Sequence, residues 1–177
     1  LETLTLTSTQ AGDAGLQHLA GLTNLRTLSL QSTQVTDAGL QYLQGLTNLE
    51  GLSLDATQVG DTGLEYLEAL TNLKGLGLDN THVTDTGLKH LRGLVNLETL
   101  TLEGTQVGDA GLVHLEGLTK LKSLCLWGTQ VSDDGVEKLK QALPDCGIMH
   151  RIPPMLPPTP RPSHSLTHPL SGYNGGQ

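Results

Sequence analysis

The sequence predicts an α/β solenoid, in which each coil adds one short strand to a parallel β-sheet and one short helix to the opposite face. Three observations predict it. The stretch Leu22 to Gly45, LTNLRTLSLQSTQVTDAGLQYLQG, returns every 24 residues with its leucines in place. Counting Leu25 as position one, positions one, four and six are leucine in every copy, from Leu1, Leu4 and Leu6 to Leu121, Leu124 and Leu126. An Asp-x-Gly step, as in Asp37-Ala38-Gly39, opens a short apolar helical pattern in each copy. One such unit cannot bury its own apolar face, so stacking is required for the chain to fold at all.

Each element follows from its place in the coil. Thr27-Leu28-Ser29-Leu30 alternates polar and apolar, the period-two mark of a strand, and its copies are expected to stack about 4.8 Å apart with leucines inward. Val35, with Val59, Val83, Val107 and Val131, buries the following turn, and Ala11 is its shortened version. Asp37, recurring as Asp13, Asp61, Asp85, Asp109 and Asp133, stands where an N-cap belongs, its carboxylate accepting orphan amides. Gly39 is expected to let the helix approach the sheet closely. Leu40 and Leu43 supply an i, i+3 inward face, and Leu46 tucks back after it. Gly45 is expected to be the left-handed residue that ends the helix, and Ala69, its replacement in one repeat, predicts a looser or shifted cap there.

The L-x-x-L-x-L head of the unit resembles the leucine-rich repeat family, over residues 1 to about 150. The resemblance implies a curved right-handed coil, with the sheet on the concave face and the helices on the convex face. It also implies a protein-binding scaffold, often one part of a larger multidomain protein. The T-D-x-G-L-x-x-L wording is similar to repeats beside F-box segments in ubiquitin-ligase substrate receptors and to bacterial arrays. No F-box segment stands in this chain, so that role is not carried over. One departure is consistent: Thr9, Thr33, Thr57, Thr81, Thr105 and Thr129 stand where the family carries Asn or Cys, which predicts a hydroxyl-based ladder.

Among its 177 residues all 18 acidic side chains lie between Glu2 and Asp145, so the repeat body is strongly acidic. That sign argues against recognition of a phosphate backbone, which needs a basic stripe, and leaves a basic protein partner open. No apolar run is long enough to span a bilayer, so membrane insertion is not expected. The chain opens in mid-repeat at Leu1 without an initiator Met or a targeting stretch, so a longer multidomain protein is expected and the compartment is left unassigned. Cys125 takes the outward fifth position of its strand, and no disulfide framework is implied with Cys146. Position two alternates in sign from Glu2 and Arg26 to Glu98 and Lys122, which predicts opposite charges side by side on neighbouring strands.

The last coil departs from the pattern. Residues 139–150, LKQALPDCGIMH, predict a longer helix end and then a closing strand. Two registers are possible, and the one set two residues late, with Cys146 and Ile148 both inward, is the expected one. From Arg151 to Gln177 the composition turns proline-rich without an acidic residue, the pattern of a disordered or polyproline-like tail. Within it Arg151-Ile-Pro-Pro154-Met-Leu-Pro157 matches an R-x-x-P-x-x-P docking pattern, set against the reading as a plain linker.

The search for catalysis is negative. The chain has no Gly-rich phosphate loop, H-E-x-x-H, paired C-x-x-C or G-x-S-x-G, and no cofactor is expected. His18, His90 and His114 share one repeat position with Tyr42, Tyr66 and Lys138 on the outer helix, a half-exposed packing column rather than a metal site that lacks a third ligand. The concave face remains. Its positions three and five are mostly Thr, Ser and Gly, a shallow floor, and position seven varies most: Thr7, Gln31, Asp55, Asp79, Glu103 and Trp127. Stacked, Asp55, Asp79 and Glu103 make an acidic row that ends at Trp127, read as a partner surface, against plain solubility or a hard-cation site. His82, in a column of glutamines, adds a pH-sensitive contact or one more polar rung. The expected function is a non-catalytic module that binds a basic protein through Gln31, Asp55, Asp79, His82, Glu103 and Trp127. The alternatives are a structural spacer, or the accessory part of an enzyme whose catalytic domain is not in this chain.

Overall fold

A computed structural model describes residues 1–150. The proline-rich segment from Arg151 to Gln177, with its R-x-x-P-x-x-P pattern, lies outside the described residues. Seven three-residue strands form one parallel sheet in sequence order: β1 (Thr3–Thr5), β2 (Thr27–Ser29), β3 (Gly51–Ser53), β4 (Gly75–Gly77), β5 (Thr99–Thr101), β6 (Ser123–Cys125) and β7 (Gly147–Met149). Between them run α1 (Asp13–Leu16), α2 (Asp37–Leu40), α3 (Asp61–Leu64), α4 (Asp85–Leu88), α5 (Asp109–Leu112) and the longer α6 (Asp133–Ala142). A 3₁₀ turn such as Gln41–Leu43 continues each of α1 to α4. The repeat length sets the register, since Leu28 stands beside Leu52 and Leu52 beside Leu76.

The core is the stack of repeat leucines. From Leu25 onward every leucine at positions one, four and six is buried, together with the Val35 column and Leu40, Leu43 and Leu46 with their copies. At the open first coil Leu4 and Leu6 are half-buried and Leu1 is 68% exposed. A core so nearly all leucine holds together only because each side chain rests on its copy one coil away, where close packing stabilises it further.

Several local expectations are corrected. The left-handed residue is not Gly45 but the one at position eight: Ser8, Ser32, Ala56 and Asn80 have φ between 53° and 56°, and Gly104 and Gly128 have φ of 67°. That conformation turns the chain out of the strand while its amide keeps the ladder going, as in Ser32 N–H donating to Asp55 O at 2.8 Å. With no positive φ at the Gly45 column, Ala69 fits it, and the preceding Gln44 and Glu68 take the same helical geometry. The looser cap expected at Ala69 is therefore absent.

The threonines satisfy their own turns. Each hydroxyl donates to the carbonyl three residues back, as Thr57 Oγ1 does to Leu54 O at 2.6 Å, so the contacts lie within a coil rather than forming a ladder between coils. The ladder between coils is elsewhere. Asn48, Asn72 and Asn96 donate from Nδ2 to Thr23, Thr47 and Thr71 carbonyls at 2.8, 2.9 and 2.9 Å. β7 keeps the 24-residue register, Ile148 beside Leu124, so the late register is wrong. Cys146 and Ile148 still pack against the core, because the chain rises from Leu143 close under β6.

The Asp-x-Gly step is a clamp between coils. The N-cap is the residue before the aspartate, and the hydroxyl of Thr36, Thr84 or Ser132 caps its own helix. The aspartate reaches forward instead. Asp61 accepts from Thr84 N–H at 2.8 Å and from Thr84 Oγ1 at 2.6 Å, and Asp37 accepts from Gly60 N–H at 2.6 Å. The glycine of the next coil makes room for it: a Cβ on Gly63 would lie 2.6 Å from Asp37 Oδ1 and 3.1 Å from Leu40 Cδ1. The obstacle is the preceding coil's carboxylate and leucine, not the sheet.

Candidate functional site

The sheet face has a floor without bulk. Thr27, Ser29, Gly51, Ser53, Gly75, Gly77, Thr99 and Thr101 line a depression of about 410 Å³ across β2 to β5, with Asp55 and Asp79 on its edge. Small residues at the outward positions leave backbone exposed where a partner can approach closely.

Along the edge the side chains of Thr7, Asp55 and Asp79 reach the following coil. Asp55 Oδ1 accepts from Asp79 N–H at 2.9 Å, and Asp79 Oδ1 accepts from Glu103 N–H at 2.7 Å. Ser53 Oγ donates to Asp55 Oδ2 at 2.7 Å, and the Thr101 hydroxyl supports Asp79. The acidic row is therefore assembled from consecutive rungs, Asp55 to Asp79 to Glu103. Burial pushes the Asp79 carboxyl above the usual aspartate range; Glu103 N–H and the Thr101 hydroxyl oppose that shift, and nearby Asp55 adds to it.

The charges of this row differ from those of position two. Glu50 is paired with Arg26 and, at 2.6 Å, with Lys74, and Lys122 reaches Glu98 at 2.6 Å. These pairs bear out the alternating signs, and they hold the Glu50 and Glu98 carboxyls below their ordinary range. Among the described residues Asp55, Asp79 and Glu103 have no ion pair, and the donors to Asp55 and Asp79 are neutral.

The other predicted residues lie apart from this core of the row. Gln31 is exposed, and its carbonyl accepts from Ser8 N–H at 2.9 Å. His82 is exposed one turn further along the coil, where its N–H donates to Val59 O at 2.8 Å in a second, minor ladder. Trp127 follows Glu103 in the position-seven column. It borders a groove of about 490 Å³ with Val136, Glu137 and Lys140 of α6 and with Ile148, Met149 and His150. Its Nε1 is shut off from solvent and has no hydrogen-bond partner among the described residues.

Cys125, at the outward fifth position, is only 6% exposed, between Thr101 and Met149 on neighbouring strands. Burial pushes its thiol, like that of Cys146, above the usual range, and both are free. On the opposite face His90 contacts Glu68 at 2.5 Å and His114 Nδ1 is buried without a partner. Among the described residues no three His, Cys, Asp or Glu side chains are placed to hold one metal ion, and no helix is long and apolar enough to cross a membrane. The asparagine ladder went unread in the sequence, although Asn24, Asn48, Asn72 and Asn96 recur at one position and carry the signal.

Comparison with known proteins agrees with this architecture. A family model described as Leucine Rich repeat matches residues 21–43. No curated protein matches the chain. Among solved structures, an internalin from Listeria monocytogenes is 24% identical, with a TM-score of 0.70 over 84% of this chain and 47% of its own. Internalin C2 from the same organism is 29% identical, with a TM-score of 0.67 over 86% of this chain and 71% of its own. The chain thus spans about half the length of the first neighbour. The family match on one of six tandem copies and the internalin neighbours over most of the length agree with a leucine-rich repeat architecture for this chain.

Proposed function

We propose that the chain is a non-catalytic protein-interaction module that takes a basic segment of its partner on the concave sheet face. Asp55, Asp79 and Glu103 supply the charge, Gln31 and His82 border the approach, and Trp127 closes the far end. One observation carries this reading: Glu50 and Glu98 of position two are paired with Lys and Arg, whereas among the described residues Asp55, Asp79 and Glu103 of position seven have no ion pair. A Lys or Arg laid along the Gly51, Gly75 and Gly77 floor meets uncompensated charge in a half-buried setting, where it is screened less than at an open surface. The burial that raises the Asp79 carboxyl also makes its charged form the one that gains most from a cation.

The test keeps the hydrogen bonds and removes the charge. Full-length chain, an Asp55→Asn, Asp79→Asn, Glu103→Gln variant, and a helix-face control carrying Glu65→Gln and Glu116→Gln are immobilised and compared for the proteins they retain. A partner kept by wild type and control and lost by the first variant supports the reading; equal retention by all three refutes it. A second reading, a structural spacer, draws on the same bonds, because Asp55 and Asp79 tie the backbone of the next coil whether or not a partner binds.

A further inference from the structure

On the sheet face the side chain at position seven meets position five of the next coil. Thr7 Oγ1 is 2.8 Å from Ser29 Oγ, and the Asp79 carboxyl takes the Thr101 hydroxyl. At Asp55 the residue in that place is Gly77, which has no side chain to offer. A Cβ built there would stand 2.6 Å from Asp55 Oδ1, 2.7 Å from Oδ2 and 2.9 Å from Cγ, closer than a real Cβ comes to another group. The Asp55 carboxylate thus fills the volume that a side chain at Gly77 would take. Backbone conformation does not call for glycine, since Gly77 is not among the residues of positive φ. A glycine inside a strand weakens it, and close approach by another group is a reason to keep one. The neighbouring floor glycines lack this contact. A Cβ on Gly75, in the same strand β4, meets nothing within 4 Å, and one on Gly51 meets the Thr27 side chain at an ordinary 3.6 Å.

The carboxylate that Gly77 admits is held at both oxygens. Oδ1 accepts from Asp79 N–H at 2.9 Å, and Oδ2 accepts from Ser53 Oγ at 2.7 Å. It is fixed on the floor of the depression rather than free above it, so a cation that meets it orders little more of the protein. We infer that Gly77 is the positioning residue of the concave face: it sets the Asp55 carboxylate down on β4, where a Lys or Arg of the partner lying over Gly51 and Gly75 reaches it. This rests on the reading of that face as the surface for a basic segment, and it adds where the cation is anchored.

The test compares full-length chain with Gly77→Ala and with Gly75→Ala, a control that adds the same methyl to the same strand. Amide NMR reads the geometry before any partner is added. Gly77→Ala is expected to push the carboxylate aside, so that the Asp79 amide proton moves upfield and exchanges faster, while the Glu103 amide, bonded to Asp79 Oδ1 at 2.7 Å, stays in place. Gly75→Ala is expected to leave both amides unchanged. A short oligoarginine peptide with blocked ends is then titrated at low salt and followed at the Glu103 amide. Wild type and Gly75→Ala are expected to bind it alike, and Gly77→Ala about tenfold more weakly, the worth of one charge-assisted contact. In an Asp55→Ala background the Gly77→Ala step is expected to weaken binding no further, which separates the collision from a disturbed strand. An unmoved Asp79 amide in Gly77→Ala overturns the positioning role. Equal binding by all three proteins, an equal loss in both variants, or a further tenfold loss in the Asp55→Ala background does the same. No binding by any of them, with the Asp79 amide displaced as expected, refutes the basic-partner reading itself and the anchor with it.

Discussion

Replacing Gly63 by alanine tests the clamp that joins one coil to the next. The added Cβ would stand 2.6 Å from Asp37 Oδ1 and 3.2 Å from Asp37 Cα. The carboxylate has to swing away, and its 2.6 Å bond from Gly60 N–H goes with it. A lost charge-assisted bond is worth roughly 1.5 to 3 kcal/mol and overpacking a close contact roughly 1 to 3 kcal/mol, while alanine regains roughly 0.5 to 1 kcal/mol of helix preference. Because one movement relieves the contact and breaks the bond, the first two effects do not simply add, and a net loss of about 2 to 4 kcal/mol is expected. Gly15 provides the control: it holds the same repeat position, but a Cβ there meets nothing within 4 Å. Gly15→Ala is expected to be neutral or to stabilise by up to about 1 kcal/mol. Chemical denaturation followed by circular dichroism reads both. A Gly63→Ala midpoint equal to wild type, or equal losses from both substitutions, refutes the clamp. In an Asp37→Ala background the Gly63→Ala loss should shrink, because the carboxylate it collides with is gone.

Three further outcomes follow from the geometry. Thr57→Val leaves the Leu54 carbonyl without its 2.6 Å donor in a buried turn and is expected to lower stability by about 1 to 3 kcal/mol in the same assay. Ala56, at φ 53°, adopts a conformation that disfavours a Cβ, so Ala56→Gly is expected to raise stability by up to about 1 kcal/mol. The Ser132 hydroxyl and then its N–H hold the Asp109 carboxyl below the ordinary aspartate range. Its folded value is the lower one, so its contribution is complete above the unfolded value of about 3.9 and is lost as pH falls through the folded value. An NMR titration of Asp109 should move upward on Ser132→Ala, and acid unfolding of that variant should depend less on this residue; an unmoved titration contradicts the bond.

The proteins that share this architecture show how much one period determines. Leu28, Leu52 and Leu76 could be assigned to the core, to a strand and to mutual register from spacing alone, because a 24-residue repeat that stacks must place like beside like. The same logic placed the Val35 and Leu40 columns inside and aligned Asp55, Asp79 and Glu103 into one row. It failed where the partner of a side chain belongs to another coil. Asp37 read as a cap for its own helix because a cap is the nearest use of a carboxylate before an apolar run; its acceptor role is 23 residues away. Gly45 read as the left-handed residue because glycine is the usual one there, whereas the turn at position eight imposes that conformation on Ala56 and Asn80.

What the sequence by itself determined is everything that depends on periodicity: the coil, the parallel sheet, the leucine core and the composition of each exposed column. What only the tertiary structure decided is where repetition stops or where neighbours meet. β7 keeps the register of β6, and Trp127 borders a groove, whereas Asp55 and Asp79 each accept from the next coil's backbone amide. Cys125 is covered although its position faces outward. The physical reason is the same in both cases: a repeat sets directions along the chain, but the surroundings of a side chain come from packed neighbours, and at the last coil those neighbours are no longer copies.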